Sequence, residues 1–122
     1  NQLGTNLNKY CLEIVIFLKN SNLCHEFFST NWILTLFANS MESEYLFIIW
    51  DFLIIFGWKF FMCFIVSVLN LNKKEIIGEE QNNLTYFMKN ILKNKKFKEN
   101  FNNIIDKSFS LMEKEEFNYK NN

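Results

Sequence analysis

Hydrophobic residues recur along this chain at helical spacing. Leu7, Cys11, Ile14, Val15 and Leu18 fall at i, i+4, i+7, i+8 and i+11, one face of a helix, while Lys9, Glu13 and Lys19 fall elsewhere. Asn20-Ser21-Asn22 interrupts this stripe, and Ser21 or Asn22 is placed to cap a short helix carrying Leu23, Phe27 and Phe28. Ser29, Thr30 and Asn31 mark another start, before Trp32 to Phe37, and Asn39-Ser40 ends that segment. Glu42 and Glu44 then sit where the first turn of the next helix favours negative charge.

From Leu46 to Ile55 the pattern is apolar on every side except at Asp51, and beyond Gly57 it is again nearly continuous from Phe60 to Leu69. A helix that is hydrophobic all round is a buried one, so residues 46–56 and 58–69 are expected to form the centre of the fold. Residues 70–83 are polar apart from Leu71, Ile76 and Ile77. Two amphipathic stripes follow: Leu84, Phe87, Met88, Ile91 and Leu92, then Phe97, Phe101, Ile104, Ile105 and Phe109, separated by Asn94-Lys95-Lys96. No segment reads as a strand and no repeat is visible. The pattern predicts an all-α array of six or seven helices over residues 1–113, with a polar tail, 114–122, that frays.

Composition sharpens this picture. Proline is absent and glycine occurs three times, too seldom for the many turns of a sandwich or barrel. Fifteen phenylalanines supply ample core material, and 122 residues suit one domain. The first residue is Asn1 rather than Met, which reads as a piece of a longer protein. Lys+Arg and Asp+Glu balance at 13 each, so no net field draws the chain to nucleic acid or an anionic surface. All the basic residues are lysines.

Cys11, Cys24 and Cys63 follow no CxxC spacing; with His25 they number four potential zinc ligands. Cys24 and His25 are adjacent, however, and project about 100° apart on a helix. The thiols therefore read as buried apolar groups in a reducing compartment, and neither a metal nor a cofactor is expected. His25, with only the adjacent Glu26 as an orienting carboxylate, reads as a partly exposed structural residue.

Residues 46–69 are also long enough for a membrane span, which needs roughly 20 apolar residues, and Lys73 and Lys74 follow as a possible anchor. Asp51 and Lys59 inside the run would each cost about 2.5–3.5 kcal/mol at a span centre. Gly57 and Trp58 divide the run into two pieces of core-helix length. These features favour a soluble core and keep the spanning reading as the less favoured alternative.

Two segments resemble a known family. Ser29-Thr30-Asn31-Trp32-Ile33-Leu34-Thr35-Leu36-Phe37 is similar to the W-[FIL]-x-T-L-F helix of TBC domains, and Leu46-Phe47-Ile48-Ile49-Trp50-Asp51-Phe52-Leu53 to their IWD helix. Their order, their separation and the break at Gly57 also match. The family's usual proline near Met41 and arginine near Ile48 are absent. The closely matched part runs from about Phe28 to Leu69.

The motif residues Trp32, Thr35, Leu36, Phe37, Ile49, Trp50, Asp51 and Gly57 read as structural. Each Trp brings a large apolar face and one N–H that wants a partner when buried. Asp51, amid bulky apolar neighbours, is expected to need a cation such as Lys59 or nearby backbone amides.

The resemblance implies a protein that accelerates GTP hydrolysis by Rab-type small GTPases, with an arginine finger and a glutamine set in IxxDxxR and YxQ motifs of the N-terminal half. A finger needs the planar, permanent charge of a guanidinium. Neither motif occurs here, no arginine exists, and Gln81 has Glu79 rather than Tyr two residues before it. The implied role is the C-terminal lobe, catalytically silent alone, supporting a missing N-terminal half and meeting the GTPase through the complete domain. A cytoplasmic location, peripheral membrane association at most and a part in vesicle trafficking follow from the same resemblance. A non-catalytic helical scaffold or adaptor remains the alternative of a different class.

Overall fold

The computed structural model describes residues 2–24, 26–78 and 81–120. Among them are nine helices and no strand: α1 (Gln2–Tyr10), α2 (Leu12–Asn20), α3 (Glu26–Thr35), α4 (Ser43–Phe56), α5 (Trp58–Leu71), α6 (Lys73–Gly78), α7 (Gln81–Asn90), α8 (Lys95–Glu99) and α9 (Phe101–Lys120). The all-α class agrees with the sequence reading. The count exceeds six or seven because helices break where the hydrophobic stripe does not. Cys11 leaves helical dihedrals (φ −133°, ψ 35°) and separates α1 from α2. Leu3, Leu7, Cys11, Ile14 and Leu18 are nonetheless all buried, so one apolar stripe crosses both helices.

Other boundaries move for equally local reasons. Ser29-Thr30-Asn31 starts nothing and lies inside α3, with Ser29 buried. The stop comes later, at Leu36 and Phe37, which both adopt left-handed backbone (φ 49° and 69°). Within the polar run after residue 70, α6 forms and buries Ile76. Asn94 caps α8 by accepting the Phe97 N–H at 2.8 Å, and Asn100 divides α8 from α9.

The core is organised around α5. Phe60, Phe61, Cys63, Phe64, Ile65, Val66, Val68 and Leu69 are all buried, and the pairing of α5 with α9 is the most extensive between helices. Phe109 of α9 meets the rings of Phe52, Phe56 and Phe60, at centroid separations of 5.1, 5.3 and 5.6 Å. Phe97 and Phe101 pack on Tyr45 at the start of α4. Lys96 ties α8 to the end of α5: its ammonium donates to the Leu71 carbonyl at 2.9 Å and pairs with Glu75. That hydrogen bond holds the Glu75 carboxyl below its ordinary range. A cation at orphan helix carbonyls is favourable in its own right.

The expectation of two buried central helices holds for α5 and fails for α4. Only Leu46 and Ile49 of α4 are buried, whereas Phe47, Ile54 and Ile55 are 58%, 82% and 68% exposed. An all-round apolar pattern says that every face wants cover, but the other helices cover only one side of α4. Asp51 lies on that open side, exposed and with no hydrogen bond or ion pair among the described residues, so its expected burial is corrected as well. Lys59, its expected partner, is half-buried at the start of α5.

No helix among the described residues is long and apolar enough to cross a membrane. Residues 46–69 fold as parts of two helices of 14 residues each, about 21 Å long against a hydrocarbon core of about 30 Å. The break is Gly57, whose φ of 71° and ψ of −151° belong to backbone space essentially confined to glycine. A β-carbon there would meet nothing within 4 Å, so backbone strain alone opposes a side chain. Gly57→Ala is expected to lose about 1–3 kcal/mol in urea unfolding at fixed protein concentration. An unchanged midpoint would show that the hinge relaxes without cost.

Candidate functional site

Most of the motif residues lie at or beside the corner between α3 and α4, with Gly57 at the α4–α5 break and Asp51 on the outer side of α4. Thr35 Oγ1 donates to the Asn31 carbonyl at 2.9 Å near the end of α3. The next residue, Leu36, turns its own carbonyl toward α4, where Trp50 Nε1 donates to it at 2.8 Å. Left-handed backbone at two successive non-glycine residues costs roughly 1–2 kcal/mol each. Two contacts offset it. The Trp50 bond fixes the Leu36 carbonyl, and the Phe37 side chain enters the core, fully buried against Trp32, Phe61 and Phe64 at 5.8, 5.0 and 5.4 Å. Trp32 in turn packs on Phe28 at 4.9 Å. Ile49, the residue before Trp50 and on the inner side of α4, is also fully buried.

Trp32, Phe37 and Ile49 are therefore core residues, Thr35 bonds back within α3, and Leu36 and Trp50 form a brace between the end of α3 and α4. Leu36, Trp50 and Gly57 also line an open cleft of about 440 Å³, together with Leu53, Ile54, Trp58 and Phe61. Every side chain on that lining is apolar or aromatic. Trp58 stacks on Phe61 at 4.6 Å and 7°, and both Trp58 and Leu36 remain exposed. Asp51 does not line this cleft; it lies along the exposed stripe of α4.

Such a surface suits docking rather than chemistry. It holds no nucleophile, base or metal-ligand set, and large contiguous apolar surface on a helical domain marks a place for another apolar surface. No group of three or more His, Cys, Asp or Glu that could hold a metal occurs among the described residues; His25 lies outside them, as does the side chain of Gln81. Cys11 and Cys63 are buried, and burial pushes their thiols up to about 12 and about 11, far from thiolate chemistry at neutral pH. Cys24 is exposed.

The exposed apolar residues in and beside this cleft, Phe47, Ile54 and Ile55 of α4 and Trp58 at the start of α5, carry no signal of exposure in the sequence. From Leu46 to Phe56 α4 is apolar at every position but Asp51, so its pattern does not distinguish the side that faces the core.

The family model of the Rab-GTPase-TBC domain matches residues 1–77, which hold α1 to α5, all but the last residue of α6, and the whole α3–α4 corner. No curated protein and no solved structure matches the chain.

Proposed function

The chain belongs to the Rab-GTPase-TBC domain family, and from that premise we propose that it forms the C-terminal helical lobe of a Rab GTPase-activating protein. The observation that carries this reading is the family match over residues 1–77 in a chain that contains no arginine. A Rab-activating domain of this kind needs a guanidinium over the phosphoryl group in transfer, and lysine, a compact and strongly hydrated charge, does not replace it. The lobe therefore supports chemistry supplied by an N-terminal half, and residues 1–113 are its share of the domain. Through the complete domain it meets a Rab-type GTPase, in the cytoplasm and with peripheral membrane contact at most, as part of vesicle traffic. Trp32, Thr35, Leu36, Phe37, Ile49, Trp50, Asp51 and Gly57 act in this scheme as structural residues, none of them touching nucleotide.

The test measures GTP hydrolysis across a panel of Rab GTPases. This chain alone is expected to leave the intrinsic rate unchanged. The same chain joined to a TBC N-terminal half bearing IxxDxxR and YxQ is expected to raise it by a factor on the order of 10³–10⁵. Acceleration by this chain alone would place the chemistry here and overturn the reading. A complete parent that binds a Rab GTPase without accelerating hydrolysis would instead be a scaffold that keeps the TBC core.

A further inference from the structure

A second cleft, of about 260 Å³, lies between the end of α1, the second half of α5 and the middle of α9, apart from the α3–α4 corner. Among the described residues, the charged ones lining it are Lys107 and Lys114, in a chain whose acidic and basic residues are equal in number. Their i, i+7 spacing puts both on one face of α9, about 10 Å apart along the axis and within reach of a common point by their long stems. Neither lysine forms an ion pair among the described residues.

Opposite them, on α5, stands Ser67. It is only 6% exposed, lines the cleft, and makes no hydrogen bond among the described residues. A helical serine ordinarily bonds back to a carbonyl one turn earlier, as Ser108 does to Ile104 at 2.8 Å. The Ser67 hydroxyl meets the solvent of the cleft, where it is available to donate to a ligand. Asn70 beside it receives the Cys11 thiol at 3.5 Å on Oδ1, which leaves its Nδ2 group without a bond among the described residues. Ser110 adds a second hydroxyl from α9. Among the described residues the polar lining is thus rich in donors and includes no carboxylate.

We propose that this cleft binds a phosphate monoester. That group carries about −1.5 to −2 charges at pH 7 and three strong acceptor oxygens, which matches two ammonium groups and the hydroxyl and amide donors between them. A single carboxylate offers one charge and two oxygens and would leave one lysine without a counter-charge. Val66 and Leu111 form an apolar wall beside the donors, so the body carrying the phosphate is uncharged where it meets them. A free phosphate ester and the headgroup of an acidic phospholipid present the same chemistry.

The full chain is dialysed to equilibrium against labelled glycerol 3-phosphate, and separately floated with phosphatidylcholine vesicles with or without phosphatidic acid. Saturable uptake is expected in at least one arm, and the arm that responds identifies the source. The double change Lys107→Gln and Lys114→Gln is expected to weaken it at least tenfold, and Ser67→Ala severalfold, with helical circular dichroism unchanged in both. Absence of saturable binding in both arms, or binding that survives the double change, would overturn the assignment.

Discussion

Replacing Phe37 by alanine is expected to lower stability by about 3–5 kcal/mol, enough to unfold a domain whose total lies within about 5–15 kcal/mol. The ring is fully buried and touches Trp32, Phe61 and Phe64, so its removal opens a cavity between α3 and α5 that aromatic neighbours cannot close. The backbone adds a distinguishing feature. At φ 69° an alanine keeps the left-handed strain that phenylalanine bears, whereas glycine does not. Phe37→Gly should therefore cost no more than Phe37→Ala, although it removes one more carbon and loosens the unfolded chain. Urea unfolding of the two variants, at one protein concentration, gives the comparison. A glycine variant clearly less stable than the alanine variant would show that the turn holds no strain and that the ring alone fixes the corner.

That corner shows how far the sequence is legible. Helix existence follows from spacing, and in the stripe from Leu7 to Leu18 all but the half-buried Val15 are buried as its period requires. The Trp32–Phe37 and Ile49–Asp51 motifs come together as well, linked by the Trp50–Leu36 hydrogen bond and the Phe37 ring cluster. Helix ends are less legible. Ser29-Thr30-Asn31 is good capping material yet lies within α3, because packing of Phe28 and Trp32 on the core outweighs a weak local preference to begin anew. The left-handed pair Leu36–Phe37 has no glycine or asparagine to announce it.

Exposure is least legible of all. α4 and α5 are similarly apolar, and only the three-dimensional arrangement shows that α5 is enclosed and α4 is open on one side. For the same reason Asp51 reads as a buried carboxylate and stands in solvent. The donor-lined cleft was invisible because Ser67 and Lys107 are 40 residues apart and meet only through the pairing of α5 with α9.

The open side of α4 carries the second large effect. Phe47, Ile48, Asp51, Ile54 and Ile55 fall on one helical face, all exposed, with the carboxylate in the middle. Burying each large aliphatic or aromatic side chain contributes about 1.5–3 kcal/mol, so this face provides several kcal/mol to whatever covers it. Within the domain proposed above, the cover is the N-terminal half. A second copy of this chain, paired antiparallel about Asp51, would bring two carboxylates together, which makes it a poorer match than a surface with a cation or donor at that point. Alone, the chain is expected to associate loosely with itself and to bind hydrophobic dye. Changing Phe47→Gln and Ile54→Lys together should abolish both, leave helical content unaltered because neither side chain is in the core, and weaken association with an N-terminal half supplied in trans by roughly a hundredfold or more. Sedimentation velocity, dye fluorescence and titration of the two halves read these outcomes separately. If the two halves associate equally well with and without the changes, the N-terminal half sits elsewhere, and the open face of α4 belongs to a different partner.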